Sequence, residues 1–264
     1  MKTNTLPAIA ACLLFAACST VPLTGRRQLS LVSSGQLMQM ASTQYDQFLD
    51  ESKVLKGTTD ANRVKNIGNK LARAVESYMK SNGYSENIEG FQWEFNLISS
   101  EQKNAFCMPG GKVAVYTGIL PACKNDAGLA TVMGHEIAHA VAHHGGERMS
   151  QSLAAMGVQL AANVALSDKD PKVVNTFNGL YGIGANVGYL LPNSRNQESE
   201  ADRLGLIFMA MAGYNPAEAT GFWQRMSAGG GQQPPEFLST HPSDERRIRE
   251  IQQHIPEAMK YYKK

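Results

Sequence analysis

Two histidines four residues apart, with a glutamate directly after the first, form the pattern His-Glu-Ile-Ala-His at residues 135–139. Residues at positions i and i+4 share one face of an α-helix, so His135 and His139 can both offer a ring nitrogen to one metal ion. Glu136 lies one residue further round, where its carboxylate can take a proton from a water beside the metal. This pattern predicts a hydrolytic zinc site. The plain alternative is a coincidental spacing of two histidines.

A third ligand must come from elsewhere, and the acidic segment at residues 194–202 is the candidate source. Two histidines and a glutamate, with one position left open, form a ligand set of hydrolytic zinc. Glu198 and Asp202 share a helix face, so one can bind the metal while the other accepts the free N–H of a ligand histidine. This pairing favours Glu198 over Glu200 as the ligand. The alternative is a solvated acidic helix start that complements the helix dipole.

The segment that carries His135 and His139 is predicted to be helical on independent grounds. Asn125-Asp126 can cap its start, and Gly145-Gly146 offers a stop. Apolar residues recur at helical spacing, namely Leu129, Val132, Met133, Ile137, Ala140 and Val141. We call this segment the zinc helix. His143, His144 and, in a C-terminal amphipathic helix, His254 are assigned no chemistry.

Upstream of the zinc helix the pattern changes to that of strands. Residues 91–97 alternate apolar and polar side chains, and residues 104–107 and 112–116 flank Pro109-Gly110-Gly111, a strong hairpin turn. If the strand that begins at Asn104 is the edge of the sheet, its free backbone groups can pair with an extended peptide. Asn104 can equally be a turn residue that opens the strand.

Helices are predicted on both sides of this unit. Residues 34–49 and 60–83 each have one apolar face, and the second helix is expected to begin at an Asp60 cap. Two apolar stretches, Ser152–Leu166 and Phe177–Leu191, follow the zinc helix. They are poor membrane spans, because the first is short and both contain polar amides. We expect two buried helices packed on the zinc helix, with contact to a membrane surface as the alternative.

The first residues resemble an export signal. A positive start and an apolar run too short to span a bilayer precede Cys18, which follows two alanines. We expect a lipoprotein signal over residues 1–17, a lipid on Cys18 and an extended tether over residues 18–33. An ordinary secretory peptide is the alternative, since Phe15 stands where such signals usually have leucine. No acidic residue directly follows Cys18, which favours the bacterial outer membrane, with the protein facing the periplasm.

The bulk composition restricts the class of protein. With 25 basic and 23 acidic residues among 264, the chain is nearly neutral, which does not indicate a nucleic-acid partner. The length after the tether suits one domain, residues 34–264. In an oxidising compartment Cys107 and Cys123 can form a disulfide or remain two buried thiols, and the second reading is the simpler one.

Several motifs occur in an order that resembles a known family. They are His-Glu-x-x-His, Ser-Arg-x-x-Glu-x-Glu-Ala-Asp at residues 194–202, and Thr240-His241-Pro242 with Arg247-Ile248, preceded by Val21-Pro22-x-Thr24-Gly25-Arg26-Arg27 and Pro109-Gly110-Gly111. This order is similar to that of peptidase family M48, the gluzincin zinc metallopeptidases that include HtpX and the CAAX prenyl proteases. Within the family, the chain is similar to the periplasmic lipoprotein members of the BepA and LoiP type.

The resemblance implies roles for individual residues. It implies one Zn²⁺ ion per chain on His135, His139 and Glu198, with Glu136 as the general base and Asp202 behind a ligand histidine. The segment Asn104-Ala105-Phe106 is also similar to the Asn-Ala-Phe substrate strand of thermolysin-like proteases, which implies substrate binding by Asn104, Ala105 and Phe106.

His241 and Arg247 have two candidate roles under the same resemblance. The family places the matching residues near the zinc, where they could stabilise the oxyanion of the tetrahedral intermediate. In some periplasmic members the histidine instead caps the metal and holds the enzyme latent. On sequence pattern alone, a loop histidine is usually solvated.

The expected fold is α+β and mainly α-helical, a zincin-type metallopeptidase with a small antiparallel sheet whose edge strand precedes the zinc helix. The expected function is zinc-dependent endopeptidase activity on extended or misfolded envelope proteins, with outer-membrane proteins or their assembly machinery as candidate partners. The alternative is an envelope assembly factor or chaperone with latent or no protease activity.

Overall fold

The computed structural model describes residues 18–22, 24–185, 190–228, 237, 241 and 245–263. The predicted signal segment, residues 1–17, lies outside these ranges. Within them the backbone is mainly helical with a small sheet, which confirms the predicted fold class. None of the helices described is both long and apolar enough to cross a bilayer.

The elements are numbered in chain order. The strands are β1 Cys18–Thr20, β2 Arg27–Leu29, β3 Val54–Leu55, β4 Glu94–Ile98, β5 Ala105–Met108 and β6 Lys112–Tyr116. The helices are α1 Ser34–Glu51, α2 Thr59–Ser81, α3 Leu120–Cys123, α4 Asp126–Val141, α5 His144–Ala165, α6 Pro171–Ala185, α7 Leu191–Met211, α8 Glu218–Ala228 and α9 Glu245–Ala258.

The main sheet has the strand order β3-β4-β6-β5. The β3–β4 and β5–β6 pairs are antiparallel, as predicted, but the central β4–β6 pair is parallel. A hairpin through Gly110 and Gly111 joins β5 to β6. Both glycines have positive φ angles, 87° and 85°, which side-chain-bearing residues rarely adopt. In the described sheet β5 pairs with β6 alone, so it is an edge strand, as predicted.

The zinc helix is α4, and it forms the centre of the core. Every residue from Gly128 to Val141 is buried. Asn125 caps the helix as predicted, because its Oδ1 accepts a hydrogen bond of 2.9 Å from the Gly128 N–H. The predicted stop at Gly145-Gly146 is wrong. The helix ends before His143, which adopts a left-handed φ of 57°, and both glycines lie in the first turn of α5.

The cap of α2 also differs from the prediction. The Thr58 hydroxyl, and not Asp60, accepts the hydrogen bond from the Ala61 N–H, at 3.1 Å. Asp60 lies in the first turn, where its charge complements the positive end of the helix dipole. The apolar face of α2 is buried as predicted, at Val64, Ile67, Leu71, Val75, Tyr78 and Met79.

The prediction of two buried helices after α4 is wrong. Helices α5 and α6 pair with each other, through hydrogen bonds such as Tyr181 Oη to the Ala155 carbonyl at 2.9 Å. Much of their apolar surface is exposed, including Leu153, Met156, Val158, Leu160, Val164, Val173 and Leu180. No charged residue lies between Arg148 and Asp168. Such a composition is typical of a buried helix, but in this structure no element covers the outer face within the described residues.

The described residues between 18 and 33 do not form the extended tether that was predicted. Strands β1 and β2 pair antiparallel, with Cys18 opposite Leu29. Strand β2 packs on α5, and the Leu31 N–H donates a 2.9 Å hydrogen bond to Ser150 Oγ. The N-terminal segment is therefore a hairpin attached to the helix that follows α4.

Candidate metal centre

Four buried side chains converge on one point. His135, His139, Glu198 and His241 each offer a ligand atom, and these atoms all lie within 4.8 Å of one another. The Nε2 atoms of His135 and His139 are 3.1 Å apart. Each lies 3.3 Å from a different carboxylate oxygen of Glu198. Two residues of α4 and one of α7 thus face a common centre.

A close crossing of α4 and α7 produces this convergence. A Cβ atom on Gly134 would lie 3.0 Å from the Gly205 carbonyl oxygen, and one on Gly205 would lie 2.9 Å from the His135 backbone nitrogen. The two backbones can touch only because neither position has a side chain. Glu198, Asp202 and Gly205 follow i, i+4, i+7 spacing on α7, so the contact brings both carboxylates to the face of α4 that carries His135.

The donor set fits a metal ion such as zinc. Burial lowers the pKa of His139 well below its usual value, so its ring is neutral and Nε2 can present a lone pair. Two ring nitrogens at 3.1 Å with a carboxylate beside both suit a cation between them. The buried Oε1 of Glu136 accepts no hydrogen bond from the described residues, and His241 Nε2 lies 3.5 Å from it. A buried carboxylate oxygen without a hydrogen-bond donor, beside the ligand set, is suited to accept a proton.

Asp202 holds His135 from behind. Its Oδ1 lies 2.9 Å from His135 Nδ1, so an N–H at that position leaves Nε2 directed at the centre. Arg247 fixes Asp202 in turn through hydrogen bonds of 2.7 and 2.9 Å. Burial alone would raise the pKa of Asp202, but the positive charge of Arg247 and the contact with His135 outweigh it and lower that pKa. Asp202 is therefore an ionised acceptor.

Arg247 acts on the site through other residues. Besides Asp202, its guanidinium donates to the His241 carbonyl at 3.1 Å and lies 3.3 Å from Glu198 Oε2. It also stacks over the Trp223 ring at 3.6 Å. These contacts make Arg247 a positioning residue. Its predicted role at the oxyanion stays a prediction.

His241 lies inside the ligand set and is not solvated. Its Nδ1 is 2.9 Å from Glu198 Oε2 and 3.2 Å from His135 Nε2. Its ring also stacks against Phe237, with centroids 4.8 Å apart. His241 thus belongs to the group that could hold a metal ion, and both roles that the resemblance allows for it stay predictions.

Two residues of this centre were missed on sequence grounds. His144 Nδ1 lies 2.8 Å from His139 Nδ1, and His144 Nε2 lies 3.0 Å from Glu200 Oε2. His144 follows the left-handed residue His143, so helical spacing from His139 could not reveal the contact. The sequence favoured Glu198 over Glu200 as the ligand, and the link from Glu200 to His144 depends on tertiary structure. Burial lowers the pKa of His144, which leaves its ring neutral.

The predicted substrate strand is at the sheet edge, next to α4. The Asn104 side chain folds back on its own strand, because its Oδ1 accepts a 2.9 Å hydrogen bond from the Ala105 N–H. Ala105 is buried, and Phe106 packs edge-on against Phe48 with centroids 5.2 Å apart. A bound peptide would therefore meet the backbone of β5, and the substrate-binding role of these three side chains stays a prediction.

The remaining cysteines take no part in the centre. Cys107 and Cys123 are both free thiols, but only Cys123 is buried and Cys107 is half-buried, so the reading of two buried thiols is confirmed in part. Burial raises the pKa of the Cys123 thiol to about 12, so it is protonated and unreactive at neutral pH.

Comparisons with known proteins agree with this geometry. Residues 61–255 match the model of peptidase family M48. The mitochondrial metalloendopeptidase OMA1 of Schizosaccharomyces pombe is 35% identical over 90% of this chain and 66% of its own length. OMA1 of Arabidopsis thaliana is 33% identical over 87% of this chain and 42% of its own length. The β-barrel assembly-enhancing protease of Escherichia coli is 25% identical over 87% of this chain and 46% of its own length. The chain thus spans about half to two thirds of the length of these relatives.

Proposed function

Because the chain belongs to peptidase family M48, whose metallopeptidases depend on zinc, we propose that it is a zinc endopeptidase that hydrolyses extended polypeptides. The observation that carries the proposal is the convergence of His135, His139 and Glu198 with Glu136 beside them. A binding protein would need the ligands but would have no use for a buried carboxylate next to them whose Oε1 accepts no hydrogen bond from the described residues.

Each residue has a defined task in hydrolysis. His135, His139 and Glu198 would hold zinc, which when bound acts as a Lewis acid and lowers the pKa of water. Glu136 accepts the proton of the attacking water and later delivers it to the leaving amine. Burial raises the pKa of Glu136, which makes it a stronger base than an exposed glutamate. The free edge of β5 offers backbone groups to an extended peptide.

We further propose that His241 holds the enzyme latent by occupying the fourth position. The proposal is supported by the distances from His241 Nδ1 to Glu198 and to His135 Nε2. A histidine in that position excludes the water that hydrolysis needs. Casein cleavage by four zinc-loaded proteins tests both proposals: wild type, His241→Ala, Glu136→Gln and the double variant.

The expected order of rates is specific. His241→Ala should cleave faster than wild type, whereas the Glu136→Gln substitution should lower cleavage by roughly 10²-fold or more in either background. Equal cleavage by His241→Ala and the double variant would contradict the role of Glu136 as the general base. A rate of His241→Ala well below that of wild type would instead assign His241 to catalysis.

The proposed substrates are misfolded or extended proteins of the bacterial envelope. Support comes from the Escherichia coli relative, whose name describes a protease that enhances β-barrel assembly. The exposed apolar surface of α5 and α6 adds a surface that unfolded chains could contact.

The proposed location is the periplasmic face of the outer membrane, through a lipid on Cys18. Support is limited to the sequence of residues 1–18, with its apolar run before an Ala-Ala-Cys site. Fractionation of cells that express wild type or Cys18→Ser tests it. Wild type should sediment with the outer membrane and Cys18→Ser should not. Identical distribution of the two proteins would show that a lipid on Cys18 does not anchor the protein to the membrane.

An assembly factor with little or no proteolysis is the second candidate. The observation that favours it is the buried His241 within the ligand set, since a capped centre keeps its fold without cleaving substrate. Complementation of an envelope defect distinguishes the two functions. Rescue by Glu136→Gln as complete as by wild type would favour the assembly role, and failure of Glu136→Gln to rescue would favour proteolysis.

A further inference from the structure

The N-terminal hairpin reaches the metal centre through a series of polar contacts. Arg26, next to β2, donates two hydrogen bonds of 2.7 Å to Glu147 of α5 and one of 2.9 Å from Nε to Glu200 of α7. Thr24 Oγ1 donates to the other oxygen of Glu200. The two carboxylates are almost fully buried, with side-chain exposures of 3% and 4%. A segment more than 170 residues away in sequence therefore anchors Glu200.

From Glu200 the series of polar contacts continues to a metal ligand. Glu200 Oε2 lies 3.0 Å from His144 Nε2, and His144 Nδ1 lies 2.8 Å from His139 Nδ1. A carboxylate can only accept a hydrogen bond, so His144 must donate from Nε2. His139 Nε2 faces His135 and Glu198, so His139 can bind a metal ion through that atom only with its proton on Nδ1. His139 Nδ1 then donates to His144 Nδ1, which accepts.

The two ligand histidines thus have different supports. Asp202 contacts His135 directly, at 2.9 Å, whereas Glu200 reaches His139 through a second histidine. We propose that Arg26 and Thr24 are positioning residues of the metal centre, because they hold Glu200 and thereby fix the ring orientation and tautomer of His139. The inference rests on the proposed zinc site, but it concerns metal affinity and does not require hydrolysis.

A purely structural role for Arg26 would be to join β2 to α5. Glu147 supports that reading, because Gln197 and Gln151 also donate to its carboxylate, at 2.7 and 3.3 Å. The two roles predict different measurements. A structural role lowers the free energy of unfolding and leaves the zinc affinity of the folded protein unchanged. A positioning role lowers zinc affinity in a protein that remains folded.

The test measures the zinc dissociation constant of the full chain by competition with a chromophoric chelator. Arg26→Gln and Glu200→Gln should each weaken zinc binding roughly 10- to 100-fold, the effect typical of residues behind a metal ligand. The matched control is Arg63→Gln, because Arg63 is as exposed as Arg26, at 24%. It breaks the Arg63 Nε–Asp126 Oδ1 contact of 2.5 Å at the start of α4, nine residues before His135. The control should bind zinc as tightly as wild type.

Two further measurements keep the test decisive. If Arg26→Gln does not fold, Thr24→Val takes its place. This conservative variant removes one hydroxyl donor to Glu200, and its zinc affinity should fall by a smaller factor than that expected for Arg26→Gln. Ring-nitrogen NMR should show His139 protonated at Nδ1 in wild type and a changed tautomer population in Glu200→Gln. Folded variants with wild-type zinc affinity and an unchanged His139 tautomer would overturn the inference and leave the proposed function intact. Failure of wild type itself to bind zinc would overturn both.

Discussion

At the scale of residues, the centre consists of ligands and the residues that hold them. His135 and His139 follow from helical spacing, and Glu198 follows from its pairing with Asp202 on a second helix. The same reasoning could not reveal His144, because it lies beyond the left-handed residue that ends α4. Arg26 belongs to the motif at residues 21–27, but its partners, Glu147 and Glu200, are distant in sequence. Local spacing therefore predicts the ligands better than it predicts their supports.

Asp202→Asn tests the support behind His135. An amide can present its NH₂ group to His135 Nδ1, which favours the tautomer that cannot bind metal through Nε2. The loss of charge also weakens the pair with Arg247. Zinc affinity should fall roughly 10- to 100-fold, measured by chelator competition. Asp168→Asn, at the exposed turn between α5 and α6, is the control and should bind zinc like wild type. Unchanged affinity in a folded Asp202→Asn protein would contradict this role.

At the scale of elements, the crossing of α4 and α7 sets the geometry of the ligands. Gly205→Ala would place a Cβ 2.9 Å from the backbone nitrogen of His135, so the helices must move apart. The free energy of unfolding should fall by about 1–3 kcal/mol, as for other overpacked contacts, and zinc affinity should fall with it. Urea denaturation and chelator competition measure the two effects.

Gly157→Ala is the matched control for that substitution. Gly157 lies in α5, where an added Cβ would have no atom within 4 Å. Alanine is a better helix former, so stability should rise by roughly 0.5–1 kcal/mol and zinc affinity should not change. Equal effects of the two substitutions would show that the close crossing has no role in the metal centre.

Sequence patterns predict some properties of the elements and not others. Alternation and turn residues predict the β5–β6 hairpin, because a half-buried strand and a glycine turn are local features. Apolar composition does not reveal whether a helix is covered. In α5, Leu160 is 67% exposed, whereas Leu129 in α4 is fully buried. That difference depends on which elements pack against each helix, and only the tertiary structure determines it.

At the scale of the whole molecule, segments that are far apart in the sequence meet at the centre. The hairpin of β1 and β2 reaches it through Glu200, and α9 reaches it through Arg247. A metal that binds the folded chain and not the unfolded chain adds its binding free energy to stability. Removal of zinc with EDTA should therefore lower Tm and abolish casein cleavage, and added zinc should restore both. An unchanged Tm after verified removal of the metal would contradict this coupling.

We propose that one zinc ion is bound by His135, His139 and Glu198, with His241 as the fourth ligand, because these four side chains converge on one point. X-ray absorption at the zinc edge, on wild type and His241→Ala protein with one zinc per chain, tests it most directly. We expect three imidazole ligands in wild type and two in His241→Ala, where water replaces the missing ring. Two imidazoles in both proteins would show that His241 does not bind the metal, and fewer than two would contradict the assigned site itself.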